Sequence, residues 1–178
     1  RPVTLGIIGA GNHVRDMLLP PLQNMSNVAI RGICTASGLT AKTLATKITA
    51  AYCTSDSRSI LDDPAINTIL IGTRHDSHAA LTVQALRAGK HVFVEKPLCL
   101  TEDELQDIRS TYEKQAAEGL HLMVGFNRRF SPHAKEARTF FSSRSNPLVM
   151  LYRINAGRIP ADHWVQDPDV GGGRVIGE

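Results

Sequence analysis

Aromatic residues make up only 5% of this 178-residue chain. No run approaches the roughly 18 consecutive apolar residues that a membrane-spanning helix needs, so no membrane partner is expected. Neither sign of charge dominates: 20 Lys and Arg stand against 17 Asp and Glu, for a formal net charge of +3. The basic residues are scattered and seldom interleaved with aromatics, which argues against nucleic acid as a partner. Cysteine is scarce as well. Cys34, Cys53 and Cys99 lie far apart and form no Cys-x-x-Cys pair, so neither a disulfide framework nor a zinc knuckle is expected. A reducing, cytoplasmic setting suits that thiol set. With 9 Pro and 14 Gly, the chain is neither fibrous nor of low complexity. What remains is 42% hydrophobic residue in a length that suits one α/β domain and the beginning of another. The sequence opens on Arg1 and stops at Glu178, just after a glycine run, and reads as a piece of a longer protein.

Short apolar runs alternate with amphipathic ones. Val3–Ile8, Val28–Cys34, Ile66–Ile71, His91–Glu95 and Leu120–Gly125 read as strands. Between them, a helix begins near His13, another is spaced by Leu39, Leu44 and Ile48, and a third, capped by Asp76 or Ser77, ends at Gly89. Thr101-Glu102-Asp103-Glu104 spells a capping box for a helix that Gly119 stops. This alternation predicts an α/β fold with a doubly wound parallel sheet. Ser131-Pro132 opens a further helix, Leu148–Ile154 reads as one more strand, and from Ala156 to Glu178 only loop chemistry is evident.

Gly9-Ala10-Gly11-Asn12-His13-Val14 follows the first strand directly and opens a helix. One glycine makes the tight turn and the next lets backbone approach a pyrophosphate, which the free N–H groups at the helix start then face. Val14 stands at the third fingerprint position, where Gly or Ala is usual, and is expected to widen the helix–strand packing. An NAD site would carry an acid about 20 residues on, against the ribose diol. Gly32–Ser37 has none; Thr35 and Ser37 can donate to a 2′-phosphate, with Lys42 nearby. The cofactor reading therefore stays NAD or NADP.

In Gly89-Lys90-His91-Val92-Phe93-Val94-Glu95-Lys96-Pro97, a strand ends in two charged residues and is stopped by proline. That places Glu95 and Lys96 at the carboxyl edge of the sheet, where doubly wound folds bind ligands; the plainer reading is an exposed ion pair. Four further pieces accompany it: Gly9–Asn12, Thr73 with His78, Gly125-Phe126-Asn127-Arg128-Arg129-Phe130, and Gly171-Gly172-Gly173. In this order the set resembles the glucose–fructose oxidoreductase/inositol dehydrogenase (Gfo/Idh/MocA) family over nearly the whole chain.

The resemblance implies a Rossmann dinucleotide-binding domain over 1–126, with 127–178 beginning an α+β substrate domain. It implies NAD(P)-dependent hydride transfer at a carbinol carbon of a sugar, cyclitol or sugar-nucleotide, and a homo-oligomeric intact protein. Lys96 would be catalytic, touching both the nicotinamide ribose and the substrate hydroxyl. Gly9, Ala10, Gly11, Asn12, His13, Thr35, Ser37, Thr73, Arg74, His78, Glu95, Lys96 and Pro97 would hold the cofactor; Asn127, Arg128, Arg129 and Trp164 would meet the substrate. In the family an acid follows the glycine run and the acid–base histidine comes four residues later. Here Gly177 holds the acid's place with Glu178 beside it, and the histidine would fall three residues past Glu178. Negligible turnover is expected from these 178 residues alone.

A lysine suits such a reaction. Removing hydride from an alcohol requires removing a proton too. An ammonium ~5 Å from an oxidised nicotinamide, at an effective dielectric of ~20, feels about 3 kcal/mol of repulsion, which favours the neutral amine. The other candidates have plainer readings. His75 and His78 have metal-like spacing but no third ligand. His91 reads as a solvated strand-edge residue, and His121 and His133 have no evident partners. Arg128-Arg129 suits a phosphate clamp or a helix-entry ion pair. Trp164 suits stacking on a sugar or docking its loop on the core. A non-catalytic NAD(P)-binding regulatory or scaffold module is the competing function, and Lys96 speaks against it. A methyltransferase would leave the Glu-Lys-Pro edge unexplained.

Overall fold

The structure, a computed structural model, describes residues 2–155 and 157–177, without the side chains at 38–40. Arg1, Ala156 and Glu178 lie outside the described residues, as does the side chain of Leu39.

Six strands form one all-parallel sheet in the order β3-β2-β1-β4-β5-β6. They are β1 (Val3–Ile8), β2 (Val28–Cys34), β3 (Tyr52–Thr54), β4 (Thr68–Ile71), β5 (His91–Val94) and β6 (Leu122–Val124). The side on which successive strands are added reverses between β1 and β4, which makes their carboxyl ends the topological switch point. The helices are α1 (Leu19–Gln23), α2 (Gly38–Ile48), α3 (Arg58–Leu61), α4 (His78–Arg87), α5 (Glu102–Ala116), α6 (Pro132–Phe140) and α7 (Gly173–Gly177).

Period-two alternation gives the sheet two buried faces. Ile69, Ile71, Val92 and Val94 pack with Leu81, Ala85 and Leu86 of α4 on one face. Leu5, Ile7, Ile33 and Leu70 pack with Val14, Leu19, Leu44 and Ile48 on the other. The helix after β1 starts as the sequence leads one to expect but runs as a wide π-turn over Val14–Leu18 before α1. Pro20 and Pro21 supply the reason: neither has an N–H to bond back to the preceding turn, and their rings crowd its carbonyls.

Local signals act as written in two places. Thr101 accepts from the Glu104 amide at 3.2 Å while Glu104 reaches back to the Thr101 amide at 3.1 Å. Ser131 caps α6 through the Ala134 amide, with Pro132 in the first turn. Elsewhere the fold departs from expectation. Ser77 stands at the start of α4, but its hydroxyl donates to Thr73 Oγ1 at 2.6 Å and does not cap the helix. β3 was not foreseen; three residues are too few to show a period, and pairing with β2 makes them a strand. Leu148–Ile154 is not a strand: it is irregular, with Val149 98% and Leu151 82% exposed, since no described strand pairs with it. The stretch after residue 156 is more than loop, carrying a 3₁₀ turn at Trp164–Gln166 and the short α7. Among the described residues no helix is long and apolar enough to cross a membrane, and no cluster of three metal-ligating side chains occurs.

Candidate functional site

The carboxyl ends of β1, β4 and β5 meet at the switch point and open a cleft of about 1000 Å³. Gly9 ends β1 with φ +86°, and a Cβ there would lie 2.5 Å from the Thr73 amide nitrogen, so backbone packs on backbone. Gly11 is the opposite case: a Cβ would meet nothing within 4 Å, because the position faces open space at the head of the helix. Val14 is fully buried, and Gly72, just after β4, leaves room for it: a Cβ on Gly72 would come 2.2 Å from Val14 Cγ2.

Most of the residues singled out in the sequence line this cleft. The glycine turn contributes Gly9, Ala10, Gly11, Asn12 and His13, and the end of β2 contributes Thr35 and Ser37. Thr73, Arg74 and His78 come from the β4 end, Glu95 and Lys96 from the β5 end, and Asn127 and Trp164 from the last third of the chain. Pro97 stands behind the wall, where its carbonyl accepts from His78 Nδ1 at 2.7 Å. Arg128 and Arg129 do not line the cleft; Arg129 donates to the Phe126 carbonyl at 3.3 Å and lies over the Phe126 and Phe130 rings.

Glu95 and Lys96 are not paired with each other. The Glu95 carboxylate sits 3.4 Å from His13 Nε2 and packs against Gly125. It is the only carboxylate among the described residues lining the cleft. Lys96 Nζ donates to the Gly177 carbonyl at 2.5 Å. At the β2 end, Thr35 Oγ1 donates to the Ser37 carbonyl at 2.6 Å, so that hydroxyl proton is held within its own loop. Arg74 stacks over the Trp164 ring at 5.7 Å, and the edge of Trp164 meets His75 at 4.8 Å. Trp164 thus docks its segment on the β4 end.

Sequence reasoning passed over His75, Ile159, His163, Val165 and Gly177 as wall residues. His75 is buried, and its Nδ1 donates to the Gly171 carbonyl at 2.7 Å. Burial holds its imidazolium below the ordinary range; the Gly171 bond opposes this, and the charges of His78 and Lys96 reinforce it. His75 stands inside the Thr73–His78 motif and was legible there. The others come from a segment with no period to read.

The family model described as "Oxidoreductase family, NAD-binding Rossmann fold" (Gfo/Idh/MocA) matches residues 3–126. An uncharacterized oxidoreductase of Bacillus subtilis, YrbE, is 34% identical over 88% of this chain and 45% of its own length. An inositol 2-dehydrogenase/D-chiro-inositol 3-dehydrogenase of Lactiplantibacillus plantarum is 26% identical over 97% of this chain and 55% of its own. The chain spans about half the length of the curated relatives it matches. Among solved structures, a point mutant of the 3-ketoreductase KijD10 of Actinomadura kijaniata, crystallised with TDP-benzene and NADP, superposes with TM-score 0.81 at 21% identity, covering 99% of this chain and 54% of that one. The myo-inositol 2-dehydrogenase of Lactobacillus plantarum gives TM-score 0.73 at 20% identity over 80% and 41%. With its residues 3–126 matching that model on a six-stranded Rossmann sheet, the chain belongs to the Gfo/Idh/MocA family of NAD-binding oxidoreductases.

Proposed function

We propose that the cleft holds NAD or NADP and serves hydride transfer at a carbinol carbon of a sugar, cyclitol or sugar-nucleotide. One observation carries the reading: the open backbone at Gly11 and the ammonium of Lys96 line the same cleft, where strands from both sides of the switch point end. The residues present fit the cofactor. Gly9–His13 offer amides at a helix start and room for a pyrophosphate, and Gly11 keeps that room clear of a side chain. Thr73, Arg74, His78 and Glu95 would wall the remaining length, with Ser37 at the adenosine end. The nicotinamide, when bound, supplies the hydride acceptor or donor.

The protein's own work is to position. Lys96 Nζ would hold the substrate oxygen and exchange a proton with it, steadied from behind by the Gly177 carbonyl. Asn127 and Trp164 stand where substrate would enter, and we read 1–126 as the cofactor domain and 127–178 as the start of the substrate domain. The substrate class rests on the inositol and sugar-nucleotide names among the relatives. With Gly177 in the acid's place, these 178 residues alone are expected to turn over negligibly.

Trp164 is the only tryptophan of the chain and lies on the cleft wall, so its emission reports binding directly. Titration with NADH and NADPH is expected to change it saturably with at least one of them; a linear response to both would overturn the reading. In a protein that carries this chain and turns over, Lys96→Met is expected to lower kcat roughly 100- to 10,000-fold. Nucleotide affinity should weaken far less than kcat falls, and an unaltered kcat would remove Lys96 from the chemistry.

A further inference from the structure

The imidazole of His75 has its two nitrogens in different settings. Nδ1 faces the Gly171 carbonyl at 2.7 Å, and a carbonyl can only accept, so Nδ1 carries a proton. In the neutral ring, Nε2 is then an acceptor. Nε2 meets no hydrogen-bond partner among the described residues. Nor is it sealed in, since the one fully enclosed unpaired side-chain atom among those residues is Thr82 Oγ1. The residue lines the cleft although it is only 8% exposed. A lone pair on a rigidly held ring therefore opens into the cleft.

Lys96 lies close by. Its ammonium donates to the carbonyl of Gly177, and a Cβ on Gly177 would come 3.2 Å from His75 Cε1. His75 and Lys96 thus flank the same residue, one offering an acceptor and the other donors. A hydroxyl, which donates one hydrogen bond and accepts others, satisfies both at once. Carbonyl, ether and carboxylate oxygens cannot.

We propose that His75 Nε2 accepts a hydrogen bond from a hydroxyl of the ligand that lies against Lys96. This rests on the cofactor reading above, and the hydroxyl belongs either to the nicotinamide ribose or to a polyol substrate. Only the neutral ring can accept, so binding is linked to pH. The groups around the ring are His78 and Asp76 from its own stretch, Lys96 from the β5 end, and Trp164 from the later segment, itself flanked by Arg74 and His163. Burial, His78 and Lys96 all favour the neutral form.

His75→Asn tests this cleanly, because the Asn amide can keep a donor towards Gly171 while the second ring nitrogen disappears. Nitrogen NMR of the wild-type chain near neutral pH should show a protonated Nδ1 and a bare Nε2; the reverse tautomer overturns the proposal whether or not the variant folds. Affinity for NADH, and for myo-inositol added to the NADH-loaded chain, is then followed from pH 8 down to 5. Wild-type affinity in the responsible arm should fall towards tenfold per pH unit once below the His75 titration, which burial holds below the ordinary histidine range. In the same arm His75→Asn should bind roughly 3- to 10-fold more weakly at pH 8. Its pH curve should lack that fall. Divergence in the NADH arm assigns the ribose hydroxyl, and divergence only in the myo-inositol arm assigns the substrate. Coincident curves in both arms overturn the assignment of Nε2 and leave the cofactor reading standing. Where NADPH is the nucleotide that binds, it takes the place of NADH in both arms; failure of the wild type to bind either at any pH overturns that reading and this proposal with it.

Discussion

Val14 and Gly72 behave as one unit of packing. The valine methyl fills the space that a side chain on Gly72 would need, at a separation of 2.2 Å from the hypothetical Cβ. Gly72→Ala is therefore expected to destabilise the fold by about 1–3 kcal/mol through overpacking. Val14→Ala in that background should restore part of the loss, although the same substitution alone removes buried surface. Urea unfolding of the two single variants and the double variant measures the coupling, and strictly additive losses would contradict it. The turn residues around this pair were legible in the sequence because their chemistry is local: glycine at a positive φ next to a helix start. The fit of Val14 was not, since its partner lies 58 positions away, just after β4. A second residue carries a pH signature. The Tyr52 hydroxyl donates to the Ser59 carbonyl at 3.0 Å, and burial, with a further contribution from Asp63, pushes it from its ordinary value of 10.0 up to about 12. The folded state thus keeps this proton longer than the unfolded chain does. The associated stability is complete below pH 10 and is lost as pH rises through about 12. Tyr52→Phe should flatten the fall in urea midpoint across that window, and parallel curves would show that Tyr52 contributes nothing there.

At the scale of elements, Lys90 ties the α3–β4 connection to the start of β5. Its buried ammonium donates to the carbonyls of Asp63 at 2.8 Å and Ile66 at 2.7 Å. Lys90→Met would leave both acceptors without that donor, at about 1–3 kcal/mol for each one that stays buried. The expected outcome is a lower urea midpoint at unchanged slope. A midpoint equal to wild type would show the ammonium to be dispensable. Elements whose signal is carried by their own residues read directly from the sequence, as the Thr101–Glu104 capping box and the Ser131 cap do. β3 and Leu148–Ile154 mark the limit of that approach, in opposite directions. Tyr52–Thr54 has almost no pattern and is a strand because β2 offers it an edge. Leu148–Ile154 has the apolar content of a strand, yet no described strand offers it one. Pairing, not composition, decides in both cases. The stacking of His91 on His121 at 5.3 Å, with the His121 amide bonded to His91 Nδ1, is likewise visible only once β5 and β6 lie side by side.

Across the whole molecule, the residues after α6 divide into a held part and a bare part. Gly171 is bound by His75, the Val170 carbonyl accepts from the Asp76 amide, and Gly177 is bound by Lys96, so the far end of the chain closes one side of the cleft. Val149, Met150, Leu151 and Tyr152 form instead a continuous exposed apolar run. Such a run has a free energy of burial of about 25 cal/mol per Å² of apolar surface, and water offers it nothing in return. The 178-residue chain is therefore expected to self-associate with rising concentration. Sedimentation velocity over a concentration series should show a growing heavier species, and Val149→Asp with Leu151→Asp should abolish it. Neither residue lines the cleft, so NADH affinity should be the same in the double variant as in wild type. Persistence of the heavier species would move the source of association to another face, and a loss of NADH affinity would mean that the bare run and the closed end of the cleft are not independent.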